Sequence, residues 1–316
     1  MILLTGVTGF VGGAVLTQLV LESRADIRTY GRRLSLSSEL NAVYGLEHIQ
    51  GEINSTADYT AALHNVDVVI HSAALAHVMT KKSYKNCDIY RDINFGGTVN
   101  LAKQAVNAGV KRFIFISSIA VNGTFTHLNH FTVGSDVNPS SNFSRSKYDA
   151  ELELIKIAAK TGLEVVIVRP TLVYGANAPG NFGSLTKLVN KLLFLPFGLT
   201  DNKRDFIAVQ NLADLLLTCA NHPDAAGHTF LASDCQTVSI REFTNAIAKG
   251  LNKRLFQLPV PVSFMHFIAR LVGKSATAEQ LLGNLQVDSS NAQEVLGWTP
   301  PYTMEQAMAS LSESKK

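Results

Sequence analysis

The sequence predicts an α/β fold, a doubly wound parallel sheet with a smaller C-terminal lobe. Three observations predict it. Short β-branched apolar runs alternate with helical segments through residues 1–170. A glycine-rich turn joins the first of these runs to the first helix. After that stretch the pattern becomes irregular: Pro170, Pro179, Pro196, Pro223, Pro259, Pro261, Pro300 and Pro301 follow, whereas only Pro139 precedes them.

Ile2-Leu3-Leu4 reads as the first strand and Phe10 to Leu21 as the first helix. Ile27-Arg28-Thr29-Tyr30 is the next strand, followed by Val66 to His71, Arg112 to Ile116 and Glu164 to Val168. These runs are nearly all apolar, as strands covered on both faces are. Helical segments at Asn94 to Ala108 and Ser144 to Lys160 separate the later strands. Strand, helix and strand in succession imply right-handed crossovers and a parallel sheet. Residues 1–170 read as one domain and residues 171–316 mainly as a second lobe, with 204–231 returning to the sheet.

The turn Thr5-Gly6-Val7-Thr8-Gly9-Phe10-Val11-Gly12 has the spacing GxxGxxG. Gly6 permits a tight turn, Gly9 lets the backbone approach a pyrophosphate, and Gly12 lets the helix pack close to the sheet. Free N–H groups at the helix start, around Thr8, Phe10 and Val11, then face the anion. The spacing predicts a Rossmann-like dinucleotide site rather than a ligand-free turn. A ribose 2′-hydroxyl is usually held by a carboxylate at the end of the second strand. That point reads Tyr30-Gly31-Arg32-Arg33 and has no acid. Arg32 and Arg33 suit a 2′-phosphate, although a solvated basic turn is the plainer alternative. The expected cofactor is therefore NADP, with NAD as the alternative.

Further motifs extend along nearly the whole chain. They are His71-Ser72-Ala73-Ala74 at a strand end, Asn94, Ile116-Ser117-Ser118-Ile119-Ala120-Val121-Asn122-Gly123, Phe143-Ser144-Arg145-Ser146-Lys147, Arg169-Pro170-Thr171-Leu172-Val173-Tyr174-Gly175, and Arg204-Asp205-Phe206-Ile207-Ala208-Val209. Together with the glycine turn they resemble the extended short-chain dehydrogenases, and within these the NAD(P)-dependent sugar epimerase/dehydratase family. The resemblance is strongest to bacterial enzymes acting at C4 of UDP-N-acetyl-hexosamines, the 4-epimerases and the UDP-4-keto-6-deoxy-sugar 4-reductases. It implies catalytic roles for Ser118 and Lys147 and for position 143. It also places Glu52, Ile53, Ser72, Ala73, Ala74, Asn94, Lys147 and Pro170 along the cofactor. Ser118, Asn181, Arg204 and Asp234 would meet a UDP-sugar, Arg204 at the diphosphate and Asp234 at a ribose. For Asp234, ordering a loop is an equal alternative. The leading expectation is reduction of a 4-keto sugar, with 4-epimerisation as the alternative.

Position 143 departs from the pattern. The family frame Tyr-x-x-x-Lys has a phenol there, and this chain has Phe143. A phenol transfers a proton and a benzene ring cannot. Three readings stay open: a Tyr-to-Phe replacement that traps bound substrate, a natural phenylalanine with the proton moved by another group, and a non-catalytic nucleotide-sugar or NADP binder. Positions 143 and 147 share a helix face, and Tyr148, Leu152, Ile155 and Ala159 are expected to form a packed stripe behind them.

Other functions are disfavoured. The chain of 316 residues has 46% hydrophobic and 17% charged residues and a net charge of +3, which gives no reason to invoke nucleic acid. Cys87, Cys219 and Cys235 are widely spaced, which suggests a reducing, cytoplasmic setting and no zinc site. His71 and His77 are not read as metal ligands, and Cys87 is not read as a nucleophile. No signal peptide or membrane span is expected. Leu258 to Gly273 reads as a partly buried amphipathic helix, with contact to a membrane surface as the lesser alternative, and Phe264, Phe267, Ile268 and Leu271 read as core. In the family, the equivalents of the Asn94 to Ala108 and Ser144 to Lys160 helices pair across a two-fold axis, so a homodimer is expected.

Overall fold

The computed structural model describes residues 1–22, 26–33, 46–76 and 87–313. Its strands are β1 (Ile2–Thr5), β2 (Ile27–Gly31), β3 (Glu47–Gln50), β4 (Val68–His71), β5 (Arg112–Ile116), β6 (Glu164–Pro170), β7 (Leu172–Tyr174), β8 (Phe194–Leu195), β9 (Phe206–Ala208), β10 (Thr229–Ala232) and β11 (Phe256–Gln257). Seven form one parallel sheet in the order β10-β6-β5-β4-β1-β2-β3. The chain runs outward from β1 through β2 and β3, then crosses back to β4 and runs outward on the other side. The reversal lies between β1 and β4, where Thr5 pairs with His71. Chains that diverge at such a point leave a crevice beyond the carboxyl ends of the strands.

Alternation along the strands fills two cores. Leu4, Ile70, Ile114 and Val166 face the helices Phe10–Leu21 and Val209–Asn221. Leu3, Val69, Phe113 and Val165 face the helices Thr98–Asn107 and Asn142–Thr161. Successive strand residues point to opposite faces, so a strand covered on both sides is apolar at every position. The edge strand β3 does not meet that criterion. In Glu47-His48-Ile49-Gln50 two residues are exposed and three are polar, so it has no apolar run to mark it as a strand.

The second half has its own core. Tyr174, Phe182, Phe206 and Phe243 pack with Ile247, Met304 and Met308, and the Phe206 and Phe243 rings stack with centroids 3.8 Å apart. Residues near the C-terminus then leave this lobe. Ala292, Leu296 and Trp298 join the core under the sheet, and Trp298 Nε1 donates to Asp214 at 2.7 Å.

Three expectations need correction. Asn94 to Ala108 is not one α-helix, because the π-helical turn Arg91–Gly97 precedes Thr98–Asn107. The stripe of Tyr148, Leu152, Ile155 and Ala159 is not the packed face of its helix; Leu152 and Ile155 are exposed. The face that packs is Ser144, Ser146, Lys147, Ala150, Glu151, Leu154 and Ile157. Finally, Phe264, Phe267, Ile268 and Leu271 are not core. They lie exposed on the helix Val262–Leu271, which turns only Val262 and Met265 toward the lobe's interior. A helical period identifies a stripe and does not say what covers it. Among the described residues, no helix is long and apolar enough to cross a membrane.

Candidate active site

The glycine turn sits at the sheet's reversal point. Gly6 has φ +77°, and a Cβ there would lie 2.6 Å from the Ala73 nitrogen, so any side chain would collide with the 72–74 segment. A Cβ on Gly12 would strike the Gly6 carbonyl. Gly9 caps the helix Phe10–Leu21 without a side-chain bond, so the first-turn N–H groups stay open. Thr8 and Gly9 are exposed, while Phe10 and Val11 are half-buried. A narrow cradle of backbone donors at a helix start fits a dinucleotide diphosphate.

A buried hydrogen-bond chain builds the wall beside it. Thr98 Oγ1 donates to the Asn94 carbonyl at 2.7 Å, so it accepts from His71 Nε2 at 2.9 Å. His71 Nδ1 is then the acceptor for Thr5 Oγ1 at 2.8 Å, and Thr5 Oγ1 in turn accepts the Ala73 N–H at 3.2 Å. Every group has one role, and the neutral Nε2–H tautomer of His71 follows. Burial, with the nearby Lys147 charge, pushes the His71 imidazole down to about 3. His71 is thus a structural tie between β1, β4 and the helix wall.

Asn94 belongs to the same framework. Its Oδ1 accepts the Leu75 N–H at 2.7 Å, and its Nδ2 donates to Leu75 O and Ser146 Oγ, both at 3.1 Å. Both Nδ2 hydrogens are used by the protein, and Oδ1 accepts one bond. Asn94, expected along the cofactor, fixes the segment after β4 against the Asn142–Thr161 helix. The wide π-helical turn that contains it accompanies this aim.

The Lys147 side chain reaches the end of β5. The Asn142–Thr161 helix begins in a reciprocal cap: Ser141 Oγ accepts the Ser144 N–H at 3.1 Å, and Ser144 Oγ accepts the Ser141 N–H at 3.0 Å. That cap sets where Phe143 and Lys147 fall. Lys147 Nζ donates to the Ile116 carbonyl at 2.8 Å and stands 4.4 Å from the Phe115 ring centre. Burial pushes its ammonium down to about 7, partly opposed by Glu151. A cation held this way is poised to act on a neighbouring acid. Phe143 is half-buried one turn earlier. Ser118 caps a short 3₁₀ turn, its Oγ accepting the Ala120 N–H at 3.2 Å, which leaves its own proton free to donate. Ser117 Oγ is buried without a partner among the described residues.

Sequence reasoning missed the support behind Lys147. Glu151, one turn further, binds Arg169 through two bonds, at 3.0 and 2.5 Å, and Arg169 also donates to Asn122 Oδ1 at 3.0 Å. Both partners of this ion pair are buried. The i, i+4 spacing of Lys147 and Glu151 was a visible signal, but the pairing with Arg169 needed the fold. Pro170 is buried at the end of β6, beside this pair.

On the second-strand side, Arg32 and Arg33 are exposed past the end of β2. Tyr30 O–H donates to the Glu52 carbonyl at 3.2 Å, which folds the Glu52-Ile53 segment alongside. Ser72 and Ala73 are half-buried and Ala74 is exposed. His77 lies outside the described residues.

The lobe's candidates divide. Asn181 is exposed in the first turn of the helix Gly180–Lys191. Arg204 donates through Nη1 to the Gly283 carbonyl at 2.8 Å, and burial pushes its guanidinium down to about 10. Asp234 is expected at a ribose, with ordering a loop as the equal alternative. Its carboxylate accepts Tyr174 O–H at 2.7 Å, Asn211 Nδ2 at 2.7 Å and the Ala208 N–H at 3.0 Å. With both oxygens bonded internally, Asp234 ties β7, β9 and the Val209–Asn221 helix together, which supports the loop-ordering alternative. Among the described residues, no cluster of His, Cys, Asp and Glu is assembled for a metal ion.

Residues 2–232 match the model of the NAD dependent epimerase/dehydratase family. The chain belongs to this family. It is 43% identical over 315 residues to a UDP-glucose 4-epimerase of Vibrio cholerae, spanning 99% of this chain and 94% of that protein. An N-acetyl-alpha-D-glucosaminyl-diphospho-ditrans,octacis-undecaprenol 4-epimerase of Escherichia coli O157:H7 is 25% identical, covering 97% of this chain and 92% of its own length. Among solved structures, the UDP-glucose 4-epimerase of Thermotoga maritima with UDP-glucose superposes with a TM-score of 0.77 at 20% identity, over 99% and 98% of the two chains. Membership in the family makes the chain an NAD(P)-dependent enzyme by descent, and position 143 is where its own chemistry is in question.

Proposed function

We propose that the chain binds NAD(P) and a UDP-sugar in a C4-epimerase site whose proton transfer awaits a phenol at position 143. The observation that carries this reading is Lys147, buried at the end of β5 one turn from position 143, in a chain 43% identical to a UDP-glucose 4-epimerase along almost its whole length. A bound nicotinamide would supply reversible hydride transfer with the sugar carbon. The protein's residues hold and orient. The first-turn amides after Gly9 take the diphosphate, Ser118 donates to the substrate oxygen, and the Lys147 charge favours an ionised group beside it. Phe143 fills the place of the proton-transferring phenol and moves no proton. Turnover of UDP-glucose and UDP-N-acetylglucosamine by the Phe143→Tyr protein tests the reading.

A second reading, net reduction of a 4-keto UDP-sugar, is favoured by Arg32 and Arg33, which lie exposed where a 2′-phosphate would sit. On that reading NADPH binds more tightly than NADH. Arg32→Ala or Arg33→Ala cuts the preference by about 1 to 3 kcal/mol. Calorimetry that finds NADH the tighter ligand leaves the epimerase with NAD as the working case.

Arg204 is proposed as a diphosphate clamp. Arg204→Ala is expected to weaken UDP binding by about 2 kcal/mol and to leave the dinucleotide almost untouched. Equal UDP affinity in both proteins removes Arg204 from the site and leaves it as the support of the Gly283 carbonyl. A homodimer is proposed through the Asn142–Thr161 helix, whose outward Leu152 and Ile155 are 40% and 52% exposed.

A further inference from the structure

The C-terminal lobe carries an apolar surface that the chemistry above does not use. The helix Val262–Leu271 has no buried residue. Phe264, Phe267, Ile268 and Leu271 stand at i, i+3, i+4 and i+7 on its outer side and are 54%, 55%, 42% and 68% exposed. The paired strands β8 and β11 make a second apolar tip. There the Phe194 and Phe256 rings stack with centroids 5.5 Å apart, yet are 54% and 53% exposed. Leu192, Leu193 and Leu258 extend this tip. The two features adjoin along the chain, because Leu258 bonds to Leu195 and the helix starts at Val262. So many large apolar side chains left in water mark a surface that meets something.

The surrounding charge identifies the occupant. Lys187, Lys191, Lys253, Arg254, Arg270 and Lys274 are all exposed on these segments. Residues 186–200 and 251–278 contain no Asp or Glu. A second copy of this face would bring the same excess of cations against it, which disfavours self-pairing. An anionic lipid surface satisfies both features. Aromatic and aliphatic side chains enter the boundary between headgroups and acyl chains, and the cations stay level with the lipid phosphates. We propose that this face docks the protein reversibly on an anionic membrane surface, lying on the bilayer without crossing it.

Cosedimentation of the full chain with vesicles tests this. The chain binds vesicles that contain phosphatidylglycerol, binds pure phosphatidylcholine vesicles weakly, and is released by added salt. Phe264→Glu combined with Phe267→Glu lowers vesicle binding by about tenfold or more. Arg270→Gln combined with Lys274→Gln lowers it severalfold and flattens the salt dependence. All four positions are exposed, so the thermal unfolding midpoint stays where it was. Three results overturn the proposal: no sedimentation with phosphatidylglycerol vesicles, equal binding by the phenylalanine variant, or a parent that binds no vesicles and loses solution mass when those phenylalanines are replaced.

Discussion

Phe143→Tyr is expected to raise turnover of a UDP-sugar by about a hundred- to ten-thousand-fold, the usual worth of a positioned general acid or base. The change adds one oxygen to a half-buried ring in the first turn of a well-capped helix. Fold, cofactor affinity and substrate affinity are expected to stay nearly constant, so the gain appears in kcat. It is also expected to depend on Lys147. Without a cation one turn away, a tyrosine keeps a pKa near 10 and is a poor base at neutral pH. Phe143→Tyr combined with Lys147→Met therefore shows little of the gain. Steady-state kinetics on the three proteins decides. Comparable turnover by the parent and by Phe143→Tyr shows that another group moves the proton, and position 143 is then not the lost acid or base.

The second large effect concerns stability. Glu151→Ala is expected to cost about 3 to 5 kcal/mol, because it leaves the buried Arg169 guanidinium without its carboxylate. Arg169 would keep only the Asn122 side-chain oxygen. Glu151→Leu combined with Arg169→Met removes both charges and is expected to recover most of the loss, since a buried pair gains little over apolar packing of similar volume. Denaturant unfolding of the two variants checks this. A loss below about 1 kcal/mol in Glu151→Ala would mean that water reaches Arg169 and that the pair is not a support of the site.

The strands that can be read from sequence are those covered on both faces. Leu3 and Leu4, Val69 and Ile70, and Phe113 and Ile114 are apolar at consecutive positions because each pair feeds two cores. β3 was not visible because an edge strand need not be apolar. The glycine turn was legible because its requirement is local. At Gly6 the positive φ belongs to the strand–turn–helix unit itself, whereas the Ala73 nitrogen in the path of any Cβ comes from the segment after β4 and adds a tertiary reason for the same glycine. The pairing of position 143 with Lys147 was legible for the same reason, since one helical turn determines it.

The roles that depend on partners distant in sequence were not legible. Asn94 and Asp234 both carry groups suited to a ligand. Whether those groups are free depends on Leu75 and Ser146 in one case, and on Tyr174, Ala208 and Asn211 in the other. The sequence by itself determined the alternating fold, the diphosphate cradle and the absence of a phenol at position 143, because each rests on a period or a spacing within one unit. Only the tertiary structure decided which framework groups Asn94 and Asp234 bond to, that Glu151 and Arg169 stand behind Lys147, and that the Phe264 stripe faces outward. Hydrogen-bond capacity and burial are settled by what packs across from a residue, and a one-dimensional pattern does not specify that.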